Sequence, residues 1–325
     1  VHSLVNKIWY QNHWFKWLLL PLSCLFWLVS SIRKVLFTIG LKKQYKSPVP
    51  VIVVGNITAG GSGKTPMVIH LIELLRANGY KPGVISRGYG AEFDGERTVT
   101  SEHTPEQVGD EPAMIKARTQ VHMVVAAKRV KAAQKLIDEH DIDIIISDDG
   151  LQHYALERDI EIAIIDGERR LGNGCLIPAG PLRELSGRLQ SVDFTVINGG
   201  SDQQDEFSML LEPSAPVPLI GDNRTFDITQ SAVAMAGIGN PQRFFDTLKA
   251  QGYNIERQIE FADHHTFSAD ELEKLSDKYP LIMTEKDAIK CFPFSQNNWW
   301  YLPVTARLET EFDKKLLDKL QHITA

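Results

Sequence analysis

The feature that most constrains this chain is a glycine-rich loop set between a strand and a helix. Val51–Val54 is a continuous apolar run ending at Gly55, and Thr58-Ala59-Gly60-Gly61-Ser62-Gly63-Lys64-Thr65 follows before the helical pattern of Met67–Leu75. In that order, strand, loop and helix make a phosphate-binding loop. Gly60, Gly61 and Gly63 let the backbone close around a phosphate chain with its N–H groups turned inward. Lys64 can reach β- and γ-phosphates, the Thr65 hydroxyl can ligate Mg2+, and the helix N-terminus adds a favourable dipole. The general pattern wants glycine at the first position, where this chain has Thr58. The rest of the chain must supply a sheet in which the loop's strand can sit.

It does so in pattern. Val84–Ser86, Val121–Ala126, Ile142–Ser147, Ile160–Ile165 and Phe194–Ile197 are short apolar runs, separated in several places by helical stretches such as Lys128–His140. Runs apolar on both faces, alternating with helices, predict an α/β fold: a P-loop NTPase-type parallel sheet flanked by helices. From Gly199 to Thr225, with prolines at 213, 216 and 218, the chain reads as a connector or short strand pair. A smaller α/β domain is expected beyond it, with strands Ala232–Ala236, Leu281–Thr284 and Trp300–Val304 and helices Pro241–Gln251, Ser268–Lys278 and Glu309–His322. The expected organisation is an N-terminal helical segment 1–46, a phosphate-loop core 47–200, a connector 201–225 and a C-terminal domain 226–325.

Trp17–Ile32 carries no charge over sixteen residues. As a helix it is about 24 Å long, against a hydrocarbon core of ~30 Å, and Pro21 would disturb a straight span. Trp9, Tyr10, Trp14, Trp17 and Trp27 crowd the segment, as suits a membrane interface. It reads as an interfacial anchor. No acidic residue precedes Glu73, whereas Lys7, Lys16, Arg33, Lys34, Lys42, Lys43, Lys46 and Lys64 do; the whole chain nevertheless carries 41 acidic against 35 basic residues. The basic end therefore suits an anionic membrane surface, and the net charge of -6 implies no general affinity for nucleic acid. Cys24, Cys175 and Cys291 make neither a disulfide framework nor a zinc spacing.

Ile142–Ser147 ends in Asp148-Asp149-Gly150, two carboxylates at the end of a buried strand, where α/β sites form. They can hold Mg2+ opposite Thr65. Asp110, in Gly109-Asp110-Glu111-Pro112, opens a helix, where an acid can simply be a cap. Asp263-His264-His265 could be a metal pair, a turn or part of an active site. Ile177–Glu184 is a Pro/Gly-rich loop that could position substrate, and Arg169, Arg170, Arg183 and Arg188 nearby could grip phosphate. Thr284-Glu285-Lys286-Asp287 has the Lys and Asp of the guanine-binding Asn-Lys-x-Asp motif in the wrong order. It reads as a chance resemblance, which favours ATP.

Together Gly55–Pro66, Ser86–Gly90, Gly109–Pro112, Asp148–His153, Leu171–Gly174, Pro178–Glu184 and Asp263–Phe267 closely resemble the motifs of the tetraacyldisaccharide 4'-kinase family. The resemblance covers essentially the whole chain, and that family tolerates a residue other than glycine at the position of Thr58. It implies transfer of the γ-phosphate of ATP, with Mg2+, to the 4'-hydroxyl of tetraacyldisaccharide 1-phosphate, giving lipid IV(A) in lipid A biosynthesis. It also implies Asp110 as catalytic base partnered by His264, Asp148 and Glu184 among the Mg2+ and nucleotide contacts, and two domains closing over the site. The N-terminal helix is then expected at the cytoplasmic face of the bacterial inner membrane. Two other readings make different demands. A membrane-associated P-loop switch NTPase would carry a guanine motif, and a soluble kinase of a small metabolite would have no use for residues 1–46.

Overall fold

The computed structural model describes residues 2–11, 13–201, 203, 205–221 and 224–324. Positions 202, 204, 222 and 223 of the expected connector lie outside the described residues. In chain order the strands are β1 Val51–Gly55, β2 Pro82–Ser86, β3 Glu96–Thr98, β4 His122–Ala126, β5 Ile144–Asp148, β6 Ile160–Asp166 and β7 Phe194–Asn198. They continue with β8 Phe207–Pro213, β9 Val217–Pro218, β10 Ser231–Ala236, β11 Asn254–Glu260, β12 Leu281–Thr284, β13 Trp299–Leu302 and β14 Val304–Leu308.

Nine of these form one sheet in the order β14-β8-β7-β6-β1-β5-β2-β4-β3. Its interior pairings are parallel, and only the edge strands β3 and β14 run antiparallel. The apolar runs explain this. In β1, Ile52 and Val54 face one core with the helix Lys64–Ala77, while Val51 and Val53 face another with the helix Arg129–Glu139. A strand buried on both faces has no use for polar alternation. β1 lies between β5 and β6, with Val54 beside Asp148. The phosphate loop and the acidic strand end therefore open side by side.

The second sheet has the order β11-β10-β12-β13-β9, parallel except for β9. The connector supplies one strand to each sheet, β8 to the first and β9 to the second. The chain then returns. The single strand expected at Trp300–Val304 is two, β13 and β14, in different sheets. Pro303 stands between them and has no N–H to give either ladder. The outward and return crossings touch, the Ser214 amide donating to the Pro303 carbonyl at 3.0 Å. Residues 304–324, expected in the second domain, thus belong to the first sheet: β14 pairs with β8, and Phe312, Leu316 and Leu320 of the helix Thr310–Thr324 enter its core. Residue 226 onward is not one continuous unit.

The apolar N-terminal segment is a 23-residue helix, Lys16–Thr38. It continues past Arg33 and Lys34, reaches about 34 Å, and is long and apolar enough to cross a membrane, with mean hydropathy 1.5 over an 18-residue stretch. One face docks on the protein. Ser23 Oγ donates to the Leu176 carbonyl at 2.8 Å and accepts from the Ala179 amide at 3.0 Å, and Phe37 packs near Tyr154. On the opposite face Leu18, Leu22, Leu25 and Ile32 are exposed.

Candidate active site

The phosphate loop is held from three sides. Asn56, fully buried behind β1, donates to the Gly60 carbonyl and to Ser62 Oγ, each at 3.2 Å. Asn198, at the end of β7, donates to the Ser62 carbonyl at 3.1 Å. Gly63 has φ +94°, and a Cβ there would lie 2.5 Å from the Asn198 side-chain nitrogen, so only glycine serves. Thr58 and Ala59 pair instead with the loop at 181–182: the Ala59 amide donates to the Pro181 carbonyl at 2.7 Å. Of the expected Thr58–Thr65 segment, Gly60, Gly61, Ser62, Gly63, Lys64 and Thr65 line the cavity and the first two residues do not.

That cavity has a volume of about 1570 Å³ and lies between the two sheets. Asp148 sits on its floor, fully buried. Its Oδ2 accepts from Ser86 Oγ at 3.0 Å, and its Oδ1 has no hydrogen-bond partner among the described residues. Burial, with the negative charges of Glu111 and Asp149 added, pushes its carboxyl up to about 7. Asp149 has the opposite balance. Burial pushes it up, but Lys64 at 3.6 Å and Arg183 at 3.2 Å more than offset this and hold it below the ordinary carboxylate range. Arg129, at the start of its helix and 3% exposed, donates to the backbone carbonyls of Asp148 and Asp149. The sequence placed Arg129 only in an ordinary helix; its burial is what marks it as part of the site.

Glu184 lines the same cavity but is already engaged. Its Oε1 accepts from Gln152 at 2.7 Å and its Oε2 from the Tyr154 hydroxyl at 2.5 Å, with Arg188 at 3.4 Å. Of the four arginines expected to grip phosphate, Arg183 and Arg188 line the cavity. Arg170 is tied to Glu206, and Arg169 donates to the Gly239 carbonyl. His153 also lines the cavity; burial, helped by the surrounding arginines, lowers it to about 4, so its ring is neutral.

The opposite wall comes from both units. Gly109, at φ +97°, turns the chain into the helix Asp110–Thr119. Asp110 makes no cap. Its Oδ2 instead meets His264 Nδ1 at 3.0 Å, from a loop of the second unit where His264 has φ +62°. Burial pushes the Asp110 carboxyl up, but the His264 hydrogen bond and the charges of Lys290 and Lys286 hold it below its usual range. His264, Glu111 and Lys286 line the cavity, and Asp110 stands beside them with 12% of its side chain accessible. His265 turns the other way, to Glu271 at 3.1 Å and against Phe261 and Phe267. The spacing Asp263-His264-His265 could not tell the two rings apart; the left-handed turn at His264 does. Among the described residues no cluster of three or more His, Cys, Asp or Glu side chains suits a metal ion.

The family model described as Tetraacyldisaccharide-1-P 4'-kinase matches residues 15–321. A Tetraacyldisaccharide 4'-kinase of Shewanella frigidimarina (strain NCIMB 400) is 61% identical over 325 residues, covering 99% of this chain and 97% of that one. Its counterpart in Shewanella halifaxensis (strain HAW-EB4) is 58% identical over 328 residues, covering 100% of this chain and 99% of that one. Among solved structures, the apo form of LpxK from Aquifex aeolicus in complex with ATP superposes with a TM-score of 0.79 at 28% identity, over 94% of this chain and 99% of that one.

Proposed function

The chain belongs to the tetraacyldisaccharide-1-P 4'-kinase family, and we propose that its cavity transfers the γ-phosphate of ATP to the 4'-hydroxyl of a tetraacylated disaccharide 1-phosphate. The observation that carries this reading is the convergence of two kinds of group on one cavity. A phosphate loop and an acidic strand end form its floor, and the Asp110–His264 pair, 3.0 Å apart, bridges the two units at its wall. The ATP complex of the Aquifex aeolicus relative supports ATP as the donor here.

In this reading the amides of Gly60–Gly63 cradle the phosphates. Lys64 and Arg183 both rest on Asp149, so an entering phosphate chain meets two cations already at its edge. Thr65 and Asp148, whose buried Oδ1 lacks a partner among the described residues, suit an oxygen-ligated Mg2+ better than Glu184, each of whose oxygens already accepts a hydrogen bond. Bound there, Mg2+ supplies neutralisation of charge on the β- and γ-phosphates.

Asp110 is the base. It is kept ionised by His264, Lys290 and Lys286. Phosphoryl transfer is loose, so the hydroxyl proton moves late and a weakly basic carboxylate suffices if it is well placed. The helix Lys16–Thr38 also lines the cavity, through Phe26, Trp27, Val29, Arg33 and Lys34. With one face docked and the other apolar, it suits a protein resting in a membrane interface while reaching a lipid-borne acceptor. Its basic flanks favour the anionic cytoplasmic face of the bacterial inner membrane.

The test is a transfer assay with ATP, Mg2+ and tetraacyldisaccharide 1-phosphate, scored for the bis-phosphorylated product. Asp110→Asn is expected to lose about 10²–10⁴ in turnover with ATP affinity little changed. The double variant with His264→Ala should lose much less than the product of the single losses. Intact turnover in Asp110→Asn, or fully multiplicative losses, would remove the pair from the chemistry.

A further inference from the structure

We propose that Lys286 is a positioning residue for this reaction: its ammonium faces Nε2 of His264 and selects the imidazole tautomer whose Nδ1–H donates to Asp110. The inference rests on the reading of Asp110 and His264 as the proton-accepting pair.

A neutral imidazole has one N–H and one lone pair, and a lysine ammonium can only donate. Lys286 Nζ lies 3.5 Å from His264 Nε2 and 3.1 Å from Asp263 Oδ1. A donor facing Nε2 assigns the lone pair to Nε2 and the proton to Nδ1, which is 3.0 Å from Asp110 Oδ2. The alternative tautomer would aim the Nδ1 lone pair at Asp110. That arrangement is favourable only if Asp110 is itself protonated, and a protonated Asp110 cannot accept the hydroxyl proton. Tautomer choice at His264 thus decides whether the base is ready.

The surroundings show why a cation is needed there. Asp263 Oδ1 is 3.9 Å from His264 Nε2 and would attract a proton to that nitrogen if it faced the ring alone. Lys286, within reach of both, takes up the Asp263 charge. The remaining neighbours cannot substitute. Glu111 lies 3.9 Å from Lys286 and is a further acceptor. Lys290 reaches Asp110 only at 4.0 Å and is pinned to Asp287 at 2.9 Å and to the His265 carbonyl. Tyr89 offers its ring to His264, with centroids 5.2 Å apart. Burial lowers the affinity of Lys286 for its proton, but Glu111 and Asp263 more than offset that, so it stays charged. Within Thr284–Asp287 the other residues have separate work. Thr284 caps its helix, Glu285 pairs with Arg118, and Asp287 accepts from the Gly237 amide.

The experiment reads the ring directly. In nucleotide-free enzyme labelled with 15N-histidine, with His264→Asn to assign the signal, His264 is expected to show a protonated Nδ1 and an unprotonated Nε2. In Lys286→Met the Nε2 signal should move to the protonated form, and the other nine of the ten histidines report whether the fold is kept. Adding Asp263→Asn to Lys286→Met should restore the original tautomer, a rescue that a purely structural role does not produce. Lys286→Arg should keep the tautomer. Turnover of Lys286→Met should fall about tenfold or more with KM for ATP within about twofold of wild type. An unchanged His264 tautomer in Lys286→Met overturns the proposal, as does an effect confined to KM for ATP, which would make Lys286 a nucleotide ligand. Because the ring is read without ATP or acceptor, its result is independent of whether Asp110 is the base, which Asp110→Asn tests.

Discussion

Gly239 brings the second unit close against the phosphate loop. A Cβ added there would sit 2.8 Å from the Gly61 nitrogen, an amide of the loop that cradles phosphate. Ordinary contact between such atoms begins near 3.5 Å, so Gly239→Ala must separate the two backbones by roughly 0.7–1 Å. Relaxed within one packed core, such crowding costs about 1–3 kcal/mol of stability. Here the crowded backbones belong to separate units joined by two strand crossings, so the units can part instead, and the strain appears as misplacement. About 1 Å of misplacement costs on the order of 10²-fold in rate. The expected result is a kcat lower by one to two orders of magnitude with a thermal midpoint close to wild type. The assay is steady-state transfer to tetraacyldisaccharide 1-phosphate in mixed micelles at saturating ATP, beside thermal unfolding of the same preparation. Wild-type kcat, or a loss of midpoint with normal kcat, would show that the approach of Gly239 to Gly61 does not set the geometry of transfer.

In metal- and nucleotide-free enzyme Asp148 should make stability fall with pH. Its folded pKa of about 7 exceeds the ~3.9 of an unfolded aspartate, so the folded state binds the extra proton and loses that advantage as pH rises from about 4 to 7. Melting curves in EDTA should therefore show Asp148→Asn gaining on wild type towards pH 8, and parallel curves would sink this. Glu184→Gln should lower the thermal midpoint by a few degrees, through weakened bonds to Tyr154 and Gln152, while leaving the Mg2+ titration unchanged; a raised Mg2+ requirement would return Glu184 to the metal. Deleting residues 1–46 would strip Ser23 and Phe37 from their docking sites, so substitution is the cleaner probe of the anchor. Leu22→Asp with Leu25→Asp, both on the exposed face, should cut flotation with anionic vesicles several-fold at an unchanged melting point. Undiminished flotation would place the anchor elsewhere.

What the sequence made legible was whatever is written locally. The phosphate loop carries its own strand and helix, and Asp148 announces itself by ending an apolar run. Alternating apolar runs and helices sufficed for the parallel sheet. Less visible was anything set by partners far along the chain. β11 reads Asn-Ile-Glu-Arg-Gln-Ile-Glu, an edge strand with its polar residues in solvent, and lacks the continuous apolar signature of its neighbours. β14 follows β13 after one proline, and nothing local says that it leaves for the other sheet. Arg129 looks like a surface helix residue until burial sets it under the backbone carbonyls of Asp148 and Asp149, and Lys286 belongs to a chance motif resemblance until it meets Asp263 and His264. Glu184 was expected at the metal on family grounds alone; the Tyr154 and Gln152 side chains that occupy it come from a different loop.

The return of the chain to the first sheet has a consequence for biosynthesis. The pairing of β8 with β14 joins residues 209–213 to residues 304–308. The ribosome must therefore deliver about 90 further residues, at roughly 5–20 per second, before the outer edge of β8 can find its partner. For several seconds the nascent protein presents an unpaired strand edge beside a core still lacking Phe312, Leu316 and Leu320. Exposed edges of that kind recruit other chains. The interval while the second unit is being synthesised is when this protein most needs a chaperone, and slowed translation between codons 214 and 303 should raise its aggregation in the cell without altering the stability of the finished molecule.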